Sequence, residues 1–245
     1  MKHLLAPAAV AAALTLSATP AAATPPDVIE IRDQLFALSD DTVFVLRTSV
    51  DNLGVYFSSY RETWLVGIDV ATGEETMWLV WRGRRDTEFG ADAGNEWYEI
   101  TTFDREDWHD PMQVVADARA ELVLGDDRGA SRSALLEPDA AGRFTVTMDY
   151  LPTFAWPRAA AIDHARASVD TLAANVAEAE RMAPVTTREL FAMREVQWDS
   201  CTFHQHGYPH GVGRRAYLLV RLDCESMETG ERTSLIQAVS PSSAG

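Results

Sequence analysis

Short runs of apolar residues, separated by turn-forming residues, predict β-hairpins along much of the chain. The clearest hairpin joins residues 63–70 to residues 76–82, two segments rich in Trp, Val, Ile and Met. Gly73 lies in the turn between them, where a positive φ is useful. The same pattern predicts further strands at residues 42–47, 55–58, 134–137 and 143–149. The last two are expected to form a second hairpin around residues 138–142.

Three other segments carry patterns that we interpret as helical. Residues 28–38 mix apolar and charged residues in a way that fits a short helix. Asp110 and the proline after it supply an N-cap and a first-turn proline for a helix over residues 111–124. The longest predicted helix covers residues 157–183 and is ended by the next proline.

The longest predicted helix has one apolar face. Its apolar residues recur in alternating steps of three and four, which places them on one side of a helix. They are Ile162, Ala165, Val169, Leu172, Val176 and Ala179. Because several of them are small, we expect this helix to lie closely on a sheet or on another helix.

The last third of the chain resembles the first in order and spacing. Asp69 and Asp223 end similar apolar segments, and Gly73 and Gly230 each lie in a Thr-Gly-Glu turn. The offset is 154 residues for the first pair and 157 for the second. This regularity predicts an internal duplication, and the alternative is a chance likeness between two hairpins with common turns.

These elements together predict an α+β fold, with antiparallel hairpins or a sheet against packed helices, and with two related halves. Residues 28–149 form the first half, which contains the hairpin at residues 63–82. Residues 150–245 form the second, which begins with the long helix and continues as a β-rich half.

The N-terminal pattern predicts export. Residues 1–23 combine a basic start, an apolar run and a final set of small residues, as cleaved signal peptides do. The apolar run is too short to span a bilayer. Residues 24–27 contain two prolines and are expected to be a flexible lead-in. We therefore expect a periplasmic or secreted protein that does not insert into a membrane.

Charge narrows the classes of partner. Beyond residue 23 the chain keeps all 37 acidic residues and 20 of the 21 basic ones, a formal charge of −17. Such a charge repels nucleic acid and attracts cations and basic proteins, or serves solubility alone. Lys2 is the only lysine, so the rest of the chain has neither a Schiff-base lysine nor a Gly-Lys-Ser/Thr phosphate loop.

The two cysteines predict a disulfide. Cys201 and Cys224 are the only cysteines, and an exported compartment permits their oxidation. The alternative is a pair of buried free thiols. No local sequence signature marks either residue as catalytic.

A histidine-rich loop is the candidate metal site. His204, His206 and His210 fall within seven residues, and three neutral imidazoles can hold Zn²⁺ or Cu²⁺. Their spacing matches no named metal signature, so the alternative is an exposed turn that binds nothing specific. No other cofactor is expected.

An acidic segment over residues 86–110 is the candidate catalytic site. It holds nine carboxylates interleaved with five aromatic residues, a combination that glycan hydrolysis or glycan binding uses. Its oxygens could also bind Ca²⁺, and the alternative is a solvated acidic loop. The candidate catalytic residues are Glu96, Asp104, Asp107 and His109.

The functional expectation is a non-enzymatic binding or accessory protein of the cell envelope. It follows mainly from missing signatures, since the chain contains no nucleophile elbow, zinc-protease helix or dinucleotide-binding turn. The expected ligand is a protein partner, an envelope component or a cation. The alternatives are an envelope glycan or ester hydrolase that uses residues 86–110, and a metal-binding protein that uses residues 204–210. Oligomeric state stays open.

Overall fold

The computed structural model describes residues 29–52, 58–89, 96–102, 107–123, 134–147, 153–182, 198, 200–206, 216–226 and 231–241. The expected export signal at residues 1–23 and lead-in at residues 24–27 lie outside this part of the chain. So does most of the strand expected at residues 55–58.

Eleven strands and two helices form in the described residues. The strands are β1 (Ile29–Leu38), β2 (Thr42–Asp51), β3 (Ser58–Asp69), β4 (Glu75–Phe89), β5 (Glu96–Thr102), β6 (Glu121–Leu122), β7 (Arg143–Val146), β8 (Phe154–Pro157), β9 (Ser200–Gln205), β10 (Leu218–Glu225) and β11 (Arg232–Val239). The helices are α1 (Pro111–Asp117) and α2 (Arg158–Met182). The expected α+β fold with packed helices is therefore wrong, because most of the described chain is one large mixed sheet.

The large sheet has the strand order β5-β4-β3-β2-β1-β11-β10-β9, and β6 adds to the end of β1. All its neighbouring strands are antiparallel except β1 and β11, which run parallel over residues 30–32 and 232–234. Strands β7 and β8 form a separate two-stranded sheet. The sheet is thus continuous across the two halves expected from the sequence, and their origin by duplication stays a prediction.

Strand β1 replaces the helix expected at residues 28–38. In β1, Ile31, Asp33 and Ala37 are buried. The exposed positions are Glu30, Arg32 and Gln34. This period of two is the signature of a strand with one covered face. The mixture of apolar and charged residues was therefore an alternation, and the helical interpretation was wrong.

The first predicted hairpin is confirmed as β3 and β4. Its turn is held by Asp69, whose Oδ1 accepts hydrogen bonds from the backbone N–H of Ala71 and Thr72 at 2.9 and 2.8 Å. Gly73 has φ +75°, the left-handed conformation that glycine adopts without a steric penalty. The predicted strand at residues 42–47 is also confirmed, as the first part of β2.

The second predicted hairpin, between residues 134–137 and 143–149, is wrong in its pairing. Strand β7 begins where expected, after a turn in which Asp139 accepts backbone hydrogen bonds, but it pairs with β8. Residues 134–136 lie instead along β9, where Leu135 and His204 form a bridge. The reason lies in the core, since Phe144 in β7 packs on Trp156 in β8 at a ring distance of 5.2 Å.

Of the two remaining helix predictions, the one for residues 111–124 is confirmed in part and the one for residues 157–183 is confirmed. Asp110 caps α1 by accepting a hydrogen bond from the Met112 N–H at 2.9 Å, but α1 ends at Asp117, well before residue 124. Arg119 follows with φ 55°, which stops the helix and directs the chain into β6. The long helix is confirmed as α2, and its stripe of small apolar residues is buried against the sheet except for the half-buried Ile162.

The core lies on both faces of the sheet. Helix α2 and the β7–β8 hairpin cover one face of β9, β10 and β11, around Phe203, Leu222 and Leu235. The opposite face of β10 and β11 packs through Leu219 and Ile236 on β2 and β3. The sheet therefore curls, and a space opens between the β3–β4 turn, the start of α2 and the end of β11.

Candidate ligand-binding cleft at the start of the long helix

The space at the start of α2 is a cleft of about 370 Å³. Its walls are the β3–β4 turn, part of β8, the first turns of α2 and the last residues of β11. The lining is mixed, with apolar residues such as Val70 and Ala160 beside polar ones such as Thr72 and Ser240. Small-molecule sites are clefts in which a few polar groups fix the orientation of the ligand.

Two polar side chains in this cleft contact each other. Glu75 is the first residue of β4, directly after the turn, and His164 lies near the start of α2. The His164 Nε2 atom lies 3.1 Å from Glu75 Oε1, and the two side chains are 29% and 16% exposed. Both are thus accessible from the cleft while they hold α2 against the β3–β4 hairpin.

Arg47 holds the carboxylate of Glu75 in place through hydrogen bonds. Its Nε and Nη2 donate to the two carboxylate oxygens of Asp33 at 2.8 and 3.0 Å. Its Nη1 and Nη2 donate to the two oxygens of Glu75, both at 2.8 Å. Asp33 also accepts a hydrogen bond from the backbone N–H of Ile236 at 3.1 Å. The guanidinium therefore ties β1, β2 and β4 together, and Asp33 extends the network to β11.

The network fixes the charge of these groups. Burial would lower the pKa of Arg47, but the charges and hydrogen bonds of Asp33 and Glu75 raise it instead. Burial would likewise raise the pKa of Glu75, but hydrogen bonds and charge from His164 and Arg47 lower it to about 2. Glu75 is therefore a permanent carboxylate at neutral pH and cannot serve there as a proton donor.

Hydrogen-bonding capacity remains at the pair. A carboxylate offers about four acceptor positions, and the described contacts of Glu75 occupy three of them, two on Oε1 and one on Oε2. Within the described residues, the Nδ1 atom of His164 has no hydrogen-bond partner. Glu75 and His164 both line the cleft, and each keeps one hydrogen-bonding position that no described residue uses.

A second polar cluster lies further along α2, around Glu62. This side chain is 2% exposed and accepts hydrogen bonds from the Tyr60 hydroxyl at 2.8 Å and from Asn175 Nδ2 at 3.1 Å. Arg82 Nε lies 3.9 Å from it. Burial raises the pKa of Glu62, against the lowering effect of these partners. The Glu62 carboxylate is buried, so we assign the cluster a structural role in docking α2.

The candidate catalytic residues of the acidic segment are not in the cleft. Asp107 and His109 are exposed at the turn before α1, and neither lines the cleft. The backbone of Glu96 begins β5, where it pairs with Phe89. Asp104 lies outside the described residues. Their expected catalytic role stays a prediction.

The expected disulfide is confirmed. Cys201 and Cys224 are bonded and sit directly opposite each other on β9 and β10. A disulfide fits an oxidising compartment. No helix in the described ranges has the length and hydropathy of a membrane span.

The histidine loop is only partly described. His204 Nε2 lies 4.0 Å from Asp223 Oδ2, and the backbone N–H of His206 donates to Leu219 at 2.8 Å. His210 lies outside the described residues. No cluster of three or more metal-ligating side chains occurs in the part of the chain that the structure describes. Metal binding by the three histidines stays a prediction.

Sequence reasoning missed the cleft and its network. Asp33, Arg47, Glu75 and His164 come from three strands and a helix, so no local motif links them. One signal was present, because Asp33 and Arg47 occupy inward positions of strands whose other inward residues are mainly apolar. A charged residue at such a position needs a buried partner.

Comparisons with protein-family models, with curated proteins and with solved structures found no match to this chain.

Proposed function

We propose that this chain is an exported, non-enzymatic binding protein of the cell envelope, and that it holds its ligand in the cleft at the start of α2. The observation that carries the proposal is the Glu75–His164 pair at the cleft. Its carboxylate is held in position by Arg47, which Asp33 holds in turn, and both members of the pair line the cleft. A fixed polar group in a cleft orients a ligand and gives specificity.

The chemistry of the pair favours binding over turnover. A carboxylate next to an imidazole resembles part of a hydrolytic triad, which needs a nucleophile in hydrogen-bond contact with the imidazole. In the described residues, the imidazole of His164 has hydrogen-bond contact with Glu75 alone. Because the pKa of Glu75 is lowered to about 2, that carboxylate is also a poor general base.

Export is supported by two independent features. The N-terminal 23 residues have the composition of a signal peptide, and the Cys201–Cys224 bond needs an oxidising compartment to persist. Fusion of residues 1–30 to a reporter that is active only after export tests this part of the proposal. A reporter that stays in the cytoplasm would contradict it.

The non-enzymatic part of the proposal is tested by assays of catalysis. Purified protein is incubated with chromogenic esters and with cell-wall glycan, and we expect no turnover above that of the His164→Gln variant. Turnover that is lost in His164→Gln, with the fold intact by circular dichroism, would refute the non-enzymatic role.

The hydrolase alternative in the acidic segment has its own variant. If the chain is a binding protein, replacement of Glu96, Asp104 and Asp107 together by alanine should leave the signal in the ester and glycan assays unchanged. Loss of turnover in this folded triple variant would place a hydrolase in residues 86–110. Metal analysis of protein purified from the periplasm tests the third role, with stoichiometric Zn or Cu as the outcome that favours it.

A further inference from the structure

We infer that the cleft at the start of α2 binds an extended peptide, which adds as a strand to the open edge of β11. This inference rests on the proposed binding function and names the class of ligand. It follows from the pairing of β11 with its neighbours, from the direction of the main-chain groups of Ala238 and from the size of the cleft.

Strand β11 has an edge that is only partly covered. On one side it pairs with β10 along its whole length, from residue 232 to residue 239. On the other side it pairs with β1 only over residues 232–234. Beyond the end of β11, a bridge between Pro241 and Phe154 attaches the chain to β8. Residues 236–240 line the cleft, so the uncovered part of this edge lies at the cleft.

The main-chain groups of Ala238 point to this uncovered edge. Successive residues of a paired strand direct their N–H and C=O groups to opposite sides. The N–H of Ile236 points away from β10, because it donates to the side chain of Asp33 at 3.1 Å, and Ala238 follows two residues later. Leu219, the residue opposite Ala238 on β10, directs its C=O away from β11, to the N–H of His206. Both observations place the N–H and C=O of Ala238 on the cleft side of β11.

The N–H and C=O of Ala238 have no hydrogen-bond partner among the described residues. The N–H of Ile236, on the same edge, already binds the acceptor that Asp33 supplies. An open strand edge is a template for another strand, and peptide-binding proteins use such edges by β-augmentation. A peptide residue opposite Ala238 would supply both a C=O and an N–H, as a neighbouring antiparallel strand does.

The cleft limits the length and the charge of the peptide. A volume of about 370 Å³ holds on the order of ten non-hydrogen atoms, if each takes roughly the 30 Å³ of a water molecule. This corresponds to about two residues with small side chains. Ala71, Gly73 and Ala160 in the walls are small, which leaves room for the main chain of a ligand. The formal charge of −16 disfavours an acidic peptide and a second copy of this chain. The ligand is therefore a neutral or basic segment of a partner.

A capped tripeptide and its N-methylated form test the inference. Acetyl-Ala-Val-Ala-amide can pair with Ala238, whereas the same peptide with a methyl group on each residue nitrogen lacks the N–H groups that this pairing needs. Each is titrated into the purified protein and followed by isothermal calorimetry and by ¹H–¹⁵N NMR. We expect N-methylation to weaken binding by at least roughly tenfold.

Amide hydrogen exchange reports on the edge directly. In the free protein, the N–H of Ala238 should exchange faster than those of Gln237 and Val239, which face β10. Near saturation with the tripeptide, exchange at Ala238 should slow by at least roughly tenfold, because its N–H then donates to the peptide.

Two pairs of variants show whether the peptide binds at this edge. Ala238→Pro removes an N–H that faces away from β10, a position where a strand tolerates proline. It should bind the tripeptide at least roughly tenfold more weakly than Ala238→Ser, which keeps the N–H. Ala160 lines the cleft and is exposed, so Ala160→Leu should fill part of the cleft and weaken binding. Its control is Ala159→Leu, at an exposed neighbouring position that does not line the cleft, which should bind as the wild type does.

The outcomes separate this inference from the proposed function. Equal affinity for the tripeptide and its N-methylated form, no saturable binding, unchanged exchange at Ala238, or equal affinity within either pair of variants would overturn the inference. A dimer that the tripeptide dissociates, seen by sedimentation velocity, would also overturn it, since the edge would then belong to a second copy. The binding role would stand with a ligand of another class. Turnover that depends on His164 would overturn the non-enzymatic role instead, whatever binds at β11. Where Ala238→Pro fails to fold by circular dichroism, the two peptides, the exchange rates and the pair of α2 variants still decide.

Discussion

Replacement of Glu75 by glutamine should remove an acid-sensitive part of the stability of this protein. The pKa of Glu75 falls from 4.5 to about 2 in the folded chain, because the hydrogen bonds and charges of His164 and Arg47 outweigh its burial. A shift of this size corresponds to about 3 kcal/mol of folding free energy at neutral pH. Since the side chain is only 16% exposed, solvent screens the interaction little.

The direction of the pH dependence follows from the lowered pKa. Glu75 contributes its full stabilisation above pH 4.5, the value in the unfolded chain, and loses it as the pH falls towards 2. The free energy of unfolding of the wild type should therefore exceed that of Glu75→Gln by about 3 kcal/mol at pH 7 and by roughly half of that at pH 3.

Urea unfolding followed by tryptophan fluorescence at pH 7, 5 and 3 measures this difference. The matched control is Glu74→Gln, an exposed neighbour in the same turn, which should change the stability by no more than about 0.5 kcal/mol at any pH. A difference between wild type and Glu75→Gln that stays constant from pH 7 to pH 3 would refute the electrostatic argument. So would a difference as small as that of the control.

Three further predictions concern the fold. Burial raises the pKa of Glu62, so the cost of its buried charge grows as the pH rises above the ordinary value of 4.5. Urea unfolding should therefore show Glu62→Gln gaining stability relative to wild type between pH 4 and pH 8, and a loss of stability of the variant relative to wild type over this range would contradict the argument. A Cβ at Gly67 would lie 3.0 Å from the ring of Trp78, and Gly67→Ala should lower the unfolding free energy by roughly 1–3 kcal/mol, an argument that fails if the melting temperature is unchanged. Loss of the disulfide in the Cys201→Ser/Cys224→Ser variant should lower the unfolding free energy by about 3 kcal/mol. A reducing agent should lower the unfolding midpoint of the wild type to that of the variant and leave the midpoint of the variant unchanged.

The sequence predicted the local elements of this fold better than their arrangement. The β3–β4 hairpin and α2 each carry a long periodic pattern, and their hydrogen bonds form between nearby residues. Strand β1 was interpreted as a helix because its inward positions include Asp33, which hides the alternation of apolar residues. Strand β7 was assigned the wrong partner because the choice depends on Phe144 and Trp156 in the core.

The cleft was beyond the reach of local patterns for the same reason. Its ion-pair network joins Asp33, Arg47, Glu75 and His164, which come together only after β1, β2, β4 and α2 have packed. The histidine and acidic segments drew attention because their residues are adjacent in sequence. Adjacent charged residues are often solvated, whereas the functional candidates here are isolated charges placed inside an apolar pattern.

The parallel pairing of β1 with β11 has a consequence for the order of folding. The backbone of Ile236 donates to Asp33 across 203 positions of sequence, so the network beneath the cleft is incomplete until the last strand has docked. Contacts between such distant segments are slow to form, because a long loop must close first. During synthesis, the edge of β1 that pairs with β11 stays unpaired until residues 232–239 arrive. We therefore expect the cleft to be among the last parts to form, and refolding experiments should show ligand binding recover after the α2 helix signal has returned.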